Sequence, residues 1–298
     1  MERQENTPSF VDVDGIRTAY HEAGSGRPLL LIHGGDYRTF AHSCDWSLNM
    51  ETLSKEFRVI AIDKLGQGFT DNPKQESDYT MQAVCDHIES FINVLGLDDL
   101  AVVGHSRGGL PSARLAIKYP ERVTALVVVD SNTLAAKSAI VPANFYPTAF
   151  AGMPDRPDAE HAAKELIMNS FATDHITDSF VEARRSAGLL EKSLTARRIM
   201  ASGKFKEQFL PDADRLRDDT LNQIAAGDLR TNTLIAWGRE DPSAPLQIGI
   251  DLYETVASGG SERAEFHVFN RSGHYPYRER AEAFNETLAA FLNSQPKH

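Results

Sequence analysis

The apolar run Ala101-Val102-Val103 breaks into Gly104-His105-Ser106-Arg107-Gly108 and gives way to a helix-like stretch at residues 110–119. Strand, tight turn with glycine at both ends, helix: this is the setting of a G-x-S-x-G nucleophile elbow. The serine of such a turn sits in a strained backbone conformation, and its glycine neighbours leave room for the chain to fold back. Ser106 is therefore the candidate nucleophile.

The rest of the chain agrees with the sheet that an elbow demands. Residues 10–14 and 16–21 flank Asp14-Gly15 and read as a β-hairpin. Apolar runs at 28–32, 58–63, 101–103, 125–130, 233–237 and 264–269 read as buried strands, separated by helix-like stretches that include 80–95 and 110–119. Alternation of this kind predicts an α/β fold, a mostly parallel sheet with helices on both faces. Between about residues 132 and 218 the pattern turns to amphipathic helix without strands, opening with Pro142, Pro147, Pro154 and Pro157 and continuing through 159–170 and 178–200. Since it falls between two core strands, 132–218 is expected as an inserted helical lid over their carboxyl ends. Residues 1–131 and 219–298 then form the core.

In this architecture an acid and a histidine follow the serine in chain order. Leu234-Ile235-Ala236-Trp237 reads as a strand that leaves into Gly238-Arg239-Glu240-Asp241, and Phe266-His267-Val268-Phe269 as another that leaves into Asn270-Arg271-Ser272-Gly273-His274. Both candidates thus sit past a strand's carboxyl end, where open parallel sheets build their sites. A serine hydroxyl is a poor nucleophile without an adjacent base, so His274 would take its proton and Asp241 would orient the imidazole. Asp130, at the end of the 125–129 run, competes with Asp241 for the acid's role.

An oxyanion needs N–H donors. The elbow supplies that of Arg107, and Leu29-Leu30-Leu31-Ile32-His33-Gly34-Gly35 runs a strand into a second glycine-rich loop, where Gly35 or Asp36 would supply another. His33 reads as a brace for that loop rather than a base.

With 298 residues the chain is long enough for one substantial core with an inserted subdomain. A net charge of −11 argues against nucleic-acid or anionic-membrane binding. The polar start, residues 1–6, leads to no apolar run, and no segment approaches the roughly 20 apolar residues of a membrane span. Cys44 and Cys85 are too few for a disulfide framework and lie in no metal-ligand cluster. A cytoplasmic protein without metal or cofactor is expected, acting on a small molecule, with a homo-oligomer left open.

Taken together, the motifs resemble the α/β-hydrolase fold family, and the C-terminal segments resemble one branch of it. Trp237-Gly238-Arg239-Glu240-Asp241, His267-Val268-Phe269, Ser272-Gly273-His274 and Glu282-Ala283-Phe284-Asn285 are similar to those of the meta-cleavage product hydrolases. That family cleaves a carbon–carbon bond in 2-hydroxy-6-oxo-dienoates formed by aromatic ring opening. Phe171-Ala172-Thr173-Asp174 through Ile176-Thr177 to Ala183-Arg184 resembles the family's lid segment ending in an arginine directed into the site. The resemblance implies that Arg184 contacts the substrate's carboxylate or adjacent oxo group. It also implies substrate contacts at Asn49, at His105 where the family often has Asn, and at Tyr275 where it has Trp. An esterase or lactonase with the same triad is the nearest alternative, and a ligand receptor on the same fold the more distant one. Epoxide hydrolases and haloalkane dehalogenases carry an aspartate at the elbow where this chain has Ser106.

Overall fold

The computed structural model describes residues 7–141, 145–259 and 264–294, so the polar start 1–6 and Pro142 lie outside the described residues. Eight strands form one sheet: β1 Ser9–Val13, β2 Ile16–Ala23, β3 Pro28–Ile32, β4 Arg58–Ile62, β5 Leu100–His105, β6 Val123–Val129, β7 Asn232–Gly238 and β8 Ala264–Phe269. Their spatial order is β1-β2-β4-β3-β5-β6-β7-β8. The β1–β2 hairpin and the β2–β4 pair are antiparallel, and every later neighbour is parallel.

Successive residues of a strand point to opposite faces, and here both faces are apolar. Leu30, Ile32, Ile60, Ile62, Val102, Val128 and Ile235 enter one cluster with the helices Met81–Val94, Gly109–Lys118 and Leu246–Ser258. Their immediate neighbours Leu29, Leu31, Val59, Ala61, Val103, Val127 and Leu234 enter a second, with Trp46, Phe284, Leu288 and Phe291. A bare face would forfeit roughly 1.5–3 kcal/mol for each large aliphatic side chain, so both must be covered.

All described regular structure between β6 and β7 is helical: Phe145–Ala149, Ala159–Asn169, Asp178–Gly188, Glu191–Ile199, the wide π-turn Met200–Phe209 and Leu210–Ala225. Two details differ from the sequence reading. The stretch 178–200 breaks at Leu189 and Leu190 into two helices. The expected boundary at 218 falls inside Leu210–Ala225, because Leu216 and Ile224 of that helix pack into the core cluster beneath. The charged residues on its outer side, among them Asp212, Arg215, Asp218 and Asp219, mask that buried stripe in the sequence. Among the described residues no helix is long and apolar enough to cross a membrane.

Candidate active site

Ser106 immediately follows β5 and has φ 50°, a left-handed conformation that costs a residue with a side chain about 1–3 kcal/mol. The turn is tight enough to exclude side chains at both flanking glycines. A Cβ on Gly104 would lie 2.3 Å from the Gly108 carbonyl oxygen, and one on Gly108 would lie 2.4 Å from that of Ile32.

Asp241 and His274 leave the carboxyl ends of β7 and β8 and meet. His274 Nδ1 stands 2.5 Å from Asp241 Oδ2, while Asp241 Oδ1 accepts from the N–H groups of Ser243 and Ala244, each at 2.8 Å, and from the Ser243 hydroxyl at 3.0 Å. His274 and Ser106 line the same cavity. Burial opposes the His274 imidazolium, but the Asp241 carboxylate outweighs it and the pKa is raised above the ordinary histidine value.

Asp130 ends β6 with φ 43°, and its Oδ1 accepts from Gly238 N–H at 2.9 Å. Burial, and next the Asp241 carboxylate, push its carboxyl well above the carboxylate range. It lies behind Asp241, one place removed from the imidazole. Ligand atoms of Asp130, Asp241 and His274 come within 4.8 Å of one another. The 2.5 Å separation of His274 Nδ1 and Asp241 Oδ2 is that of a hydrogen bond, shorter than the roughly 3.3 Å between two ligands on one tetrahedral zinc ion.

The loop after β3 closes against the elbow. Gly35 has φ +70°, and a Cβ there would lie 2.2 Å from Thr39 Oγ1, so the loop takes this path only with glycine. Gly35, Asp36 and Arg107, the expected donors, all line the cavity. The Asp36 carboxylate joins loop to elbow, with Arg107 Nε at 3.0 Å and Arg38 Nη2 at 2.9 Å, and these guanidiniums hold it well below the usual carboxylate range against the cost of burial. His33 braces the loop, as expected.

Thr177 caps the helix Asp178–Gly188, its hydroxyl accepting from Phe180 N–H at 3.3 Å, and the second turn of that helix brings Arg184 to the cavity. Arg184 is 1% exposed and lies 3.5 Å from Asp45 Oδ1 and 3.4 Å from Glu165 Oε2. Its Nε and Nη1 make no hydrogen bond among the described residues, although Nη1 is the atom paired with the Asp45 carboxylate. Tyr275 and His105 line the cavity too. The Tyr275 hydroxyl donates to Glu165 at 2.7 Å, and His105 is held between the His274 carbonyl at 2.8 Å and the Tyr277 hydroxyl at 3.3 Å.

Asn49 is not brought to the cavity. Its Nδ2 donates to the Tyr277 carbonyl at 2.8 Å and to Asn285 Oδ1 at 2.9 Å, and it is fully buried behind the site. The tight turn Ser43–Trp46 presents Asp45 to the cavity instead. The sequence reading also missed Glu165, Tyr146 and Phe150, all lining residues from the insertion between β6 and β7. It missed Glu279 as well, whose carboxylate accepts from the N–H groups of Gly273, Phe171 and Ala172 and so ties the histidine loop to the insertion.

Ser106 stands between two spaces. The one toward Arg184 is the smaller, about 400 Å³. The other, lined by Ser106, Arg107, Asn132, Thr133, Tyr146 and Leu210, is a wider cleft. Tyr146 borders both.

Residues 27–281 match the sequence model of the alpha/beta hydrolase fold. The chain is 30% identical over 300 residues to the 2-hydroxymuconate semialdehyde hydrolase of Pseudomonas sp. strain CF600, covering 98% of this chain and 97% of that protein. It is 30% identical to the 2-hydroxy-6-oxo-2,4-heptadienoate hydrolase of Pseudomonas putida, covering 94% of each. Among solved structures it is similar to the meta-cleavage product hydrolase CumD of Pseudomonas fluorescens IP01 complexed with acetates, with TM-score 0.79, 29% identity, and 97% of this chain and 99% of that chain covered.

Proposed function

The chain belongs to the α/β-hydrolase fold family, within it to the meta-cleavage product hydrolases, and from that premise we propose that it hydrolyses the C5–C6 bond of a 2-hydroxy-6-oxo-dienoate. The observation that carries this reading is one cavity lined by three groups: Ser106, the Asp241-paired His274, and the buried Arg184 guanidinium.

The dienol first tautomerises, the 2-hydroxyl giving up its proton as C5 gains one, so that the resulting 2-keto group lets the departing fragment leave as a stabilised enolate rather than a bare carbanion. Ser106 Oγ, giving its proton to His274, then adds to the C6 carbonyl while the N–H groups of Arg107 and of the Gly35-Asp36 loop hold the oxyanion. The C5–C6 bond breaks, the enolate takes a proton from the enzyme, and the acyl group stays on Ser106. Water, activated by His274, releases it as a carboxylic acid beside a 2-hydroxydienoate. Arg184 would hold the carboxylate end through its guanidinium. The group on C6 would occupy the open cleft beyond Tyr146. The segment 132–218 serves as the lid, and Tyr146, Glu165 and Arg184 from it line the cavity. The substrate is thus a small anionic molecule from aromatic degradation, and the place of action is the cytoplasm.

Asp45 and Glu165 beside Arg184 favour a second reading, ester or lactone hydrolysis, because an incoming carboxylate meets two carboxyl groups already there. Turnover of 2-hydroxy-6-oxo-2,4-heptadienoate, followed by loss of its absorbance, against turnover of p-nitrophenyl esters decides between them. Faster dienoate turnover is expected, and ester turnover alone would overturn the carbon–carbon reading.

A further inference from the structure

Lys64 stands two residues beyond β4 and is 1% exposed. Its Nζ donates to the Gly35 carbonyl at 2.8 Å, and its backbone N–H donates to His33 Nε2 at 3.1 Å. The second contact fixes the His33 tautomer. With Nε2 accepting, Nδ1 carries the proton and donates to the Gly34 carbonyl at 2.8 Å. Two successive loop carbonyls are thereby drawn to buried donors.

The described chain contains no cis peptide bond, and in a planar trans peptide the N–H points opposite to the C=O. The N–H groups of Gly35 and Asp36 therefore face away from His33 and Lys64. Gly34, Gly35 and Asp36 line the cavity together with Ser106, and His33 and Lys64 are not among its lining residues. On that placement the side of the loop away from the braces is the cavity side. Burial pulls the Lys64 pKa down to about 7, and charged or neutral its Nζ keeps an N–H for the Gly35 carbonyl. That donor supplies one thing that an apolar chain of similar length cannot, a fixed peptide orientation.

We propose that Lys64 is a positioning residue of the oxyanion loop, whose Nζ holds the Gly35–Asp36 peptide so that the Asp36 N–H joins those of Gly35 and Arg107 around the oxyanion formed at Ser106. This rests on Ser106 being the nucleophile. Loss of the brace frees the peptide to rotate, which weakens the transition state and leaves ground-state binding alone.

The test compares wild type with Lys64→Met, using p-nitrophenyl acetate for turnover, phenylboronic acid as a tetrahedral adduct former at Ser106, and benzoate as a non-covalent occupant. Removing one oxyanion donor outright costs about 10²–10³ in kcat, so misplacing one is expected to cost about 10- to 100-fold. Boronate affinity should fall by a similar factor, with KM and benzoate affinity within about threefold of wild type. Unchanged kcat and boronate affinity in a folded variant would overturn the proposal, and so would an equal fall in benzoate affinity, which would mark general collapse of the cavity. If Lys64→Met does not fold, Lys64→Gln carries the test, because its amide ends one atom short and withdraws the donor. A loss of about 3- to 10-fold in kcat and boronate affinity is expected there, and no loss would overturn the proposal. Wild-type boronate binding that survives Ser106→Ala would instead overturn the nucleophile reading itself.

Discussion

Asp241 Oδ2 lies 2.5 Å from His274 Nδ1, while the other oxygen of the same carboxylate is held by Ser243 and Ala244. Asp130, the rival acid, contacts the Gly238 N–H and lies behind Asp241. Asp241→Asn is expected to lower kcat/KM by about 10³- to 10⁴-fold, since it removes the charge that supports the imidazolium. Asp130→Asn should cost at most about 10-fold, because Asp130 bonds the Gly238 N–H rather than the imidazole and an amide oxygen can accept the same bond. Steady-state kinetics of both variants would show the ranking, and the reverse ranking would move the acid to Asp130.

The raised pKa of His274 sets a pH profile. The base must be neutral to accept the serine proton, so kcat/KM is expected to rise with pH through a midpoint above the ordinary histidine value of 6.5. Stability runs the other way on this group. A raised folded-state pKa contributes stability that is fully present below the unfolded value and is lost as pH rises through the folded one. In Asp241→Asn, whose residual activity is measurable with an activated ester, the midpoint should move to lower pH; a midpoint that stays put would exclude Asp241 as the cause.

Arg184→Ala tests which substrate the cavity accepts. A charge-assisted contact is worth about 1.5–3 kcal/mol, so dienoate turnover should fall by about 10- to 100-fold while neutral aryl esters react within about threefold of wild type. Equal losses on both substrates would place Arg184 in helix packing through its pairs with Asp45 and Glu165.

The triad candidates were legible because Ser106, Asp241 and His274 each follow an apolar run, and the strands themselves were legible because both faces of the sheet are buried. Local pattern favoured Asp241, because the Trp237–Asp241 loop supplies the usual position, but kept Asp130 as a rival, since both leave strand ends and the approach of β8 decides which one meets the imidazole. Asn49 misled for a similar reason. One tight turn at Ser43–Trp46 sends Asp45 forward and leaves Asn49 facing Tyr277 and Asn285. The sequence reading did not single out Lys64, whose burial depends on contact with the distant Gly34-Gly35 loop. Glu165 and Glu279 act through backbone and side-chain partners more than a hundred positions away in the chain, which no periodicity encodes.

The most direct measurement follows 2-hydroxy-6-oxo-2,4-heptadienoate through wild type and Ser106→Ala, with products quantified by mass spectrometry. Wild type is expected to yield acetate and 2-hydroxypenta-2,4-dienoate in equal amounts. Ser106→Ala should bind the dienoate and release neither product at more than about 10⁻³ of the wild-type rate. Absence of both products from wild type, or their release by Ser106→Ala at a rate close to wild type, would contradict carbon–carbon hydrolysis through Ser106.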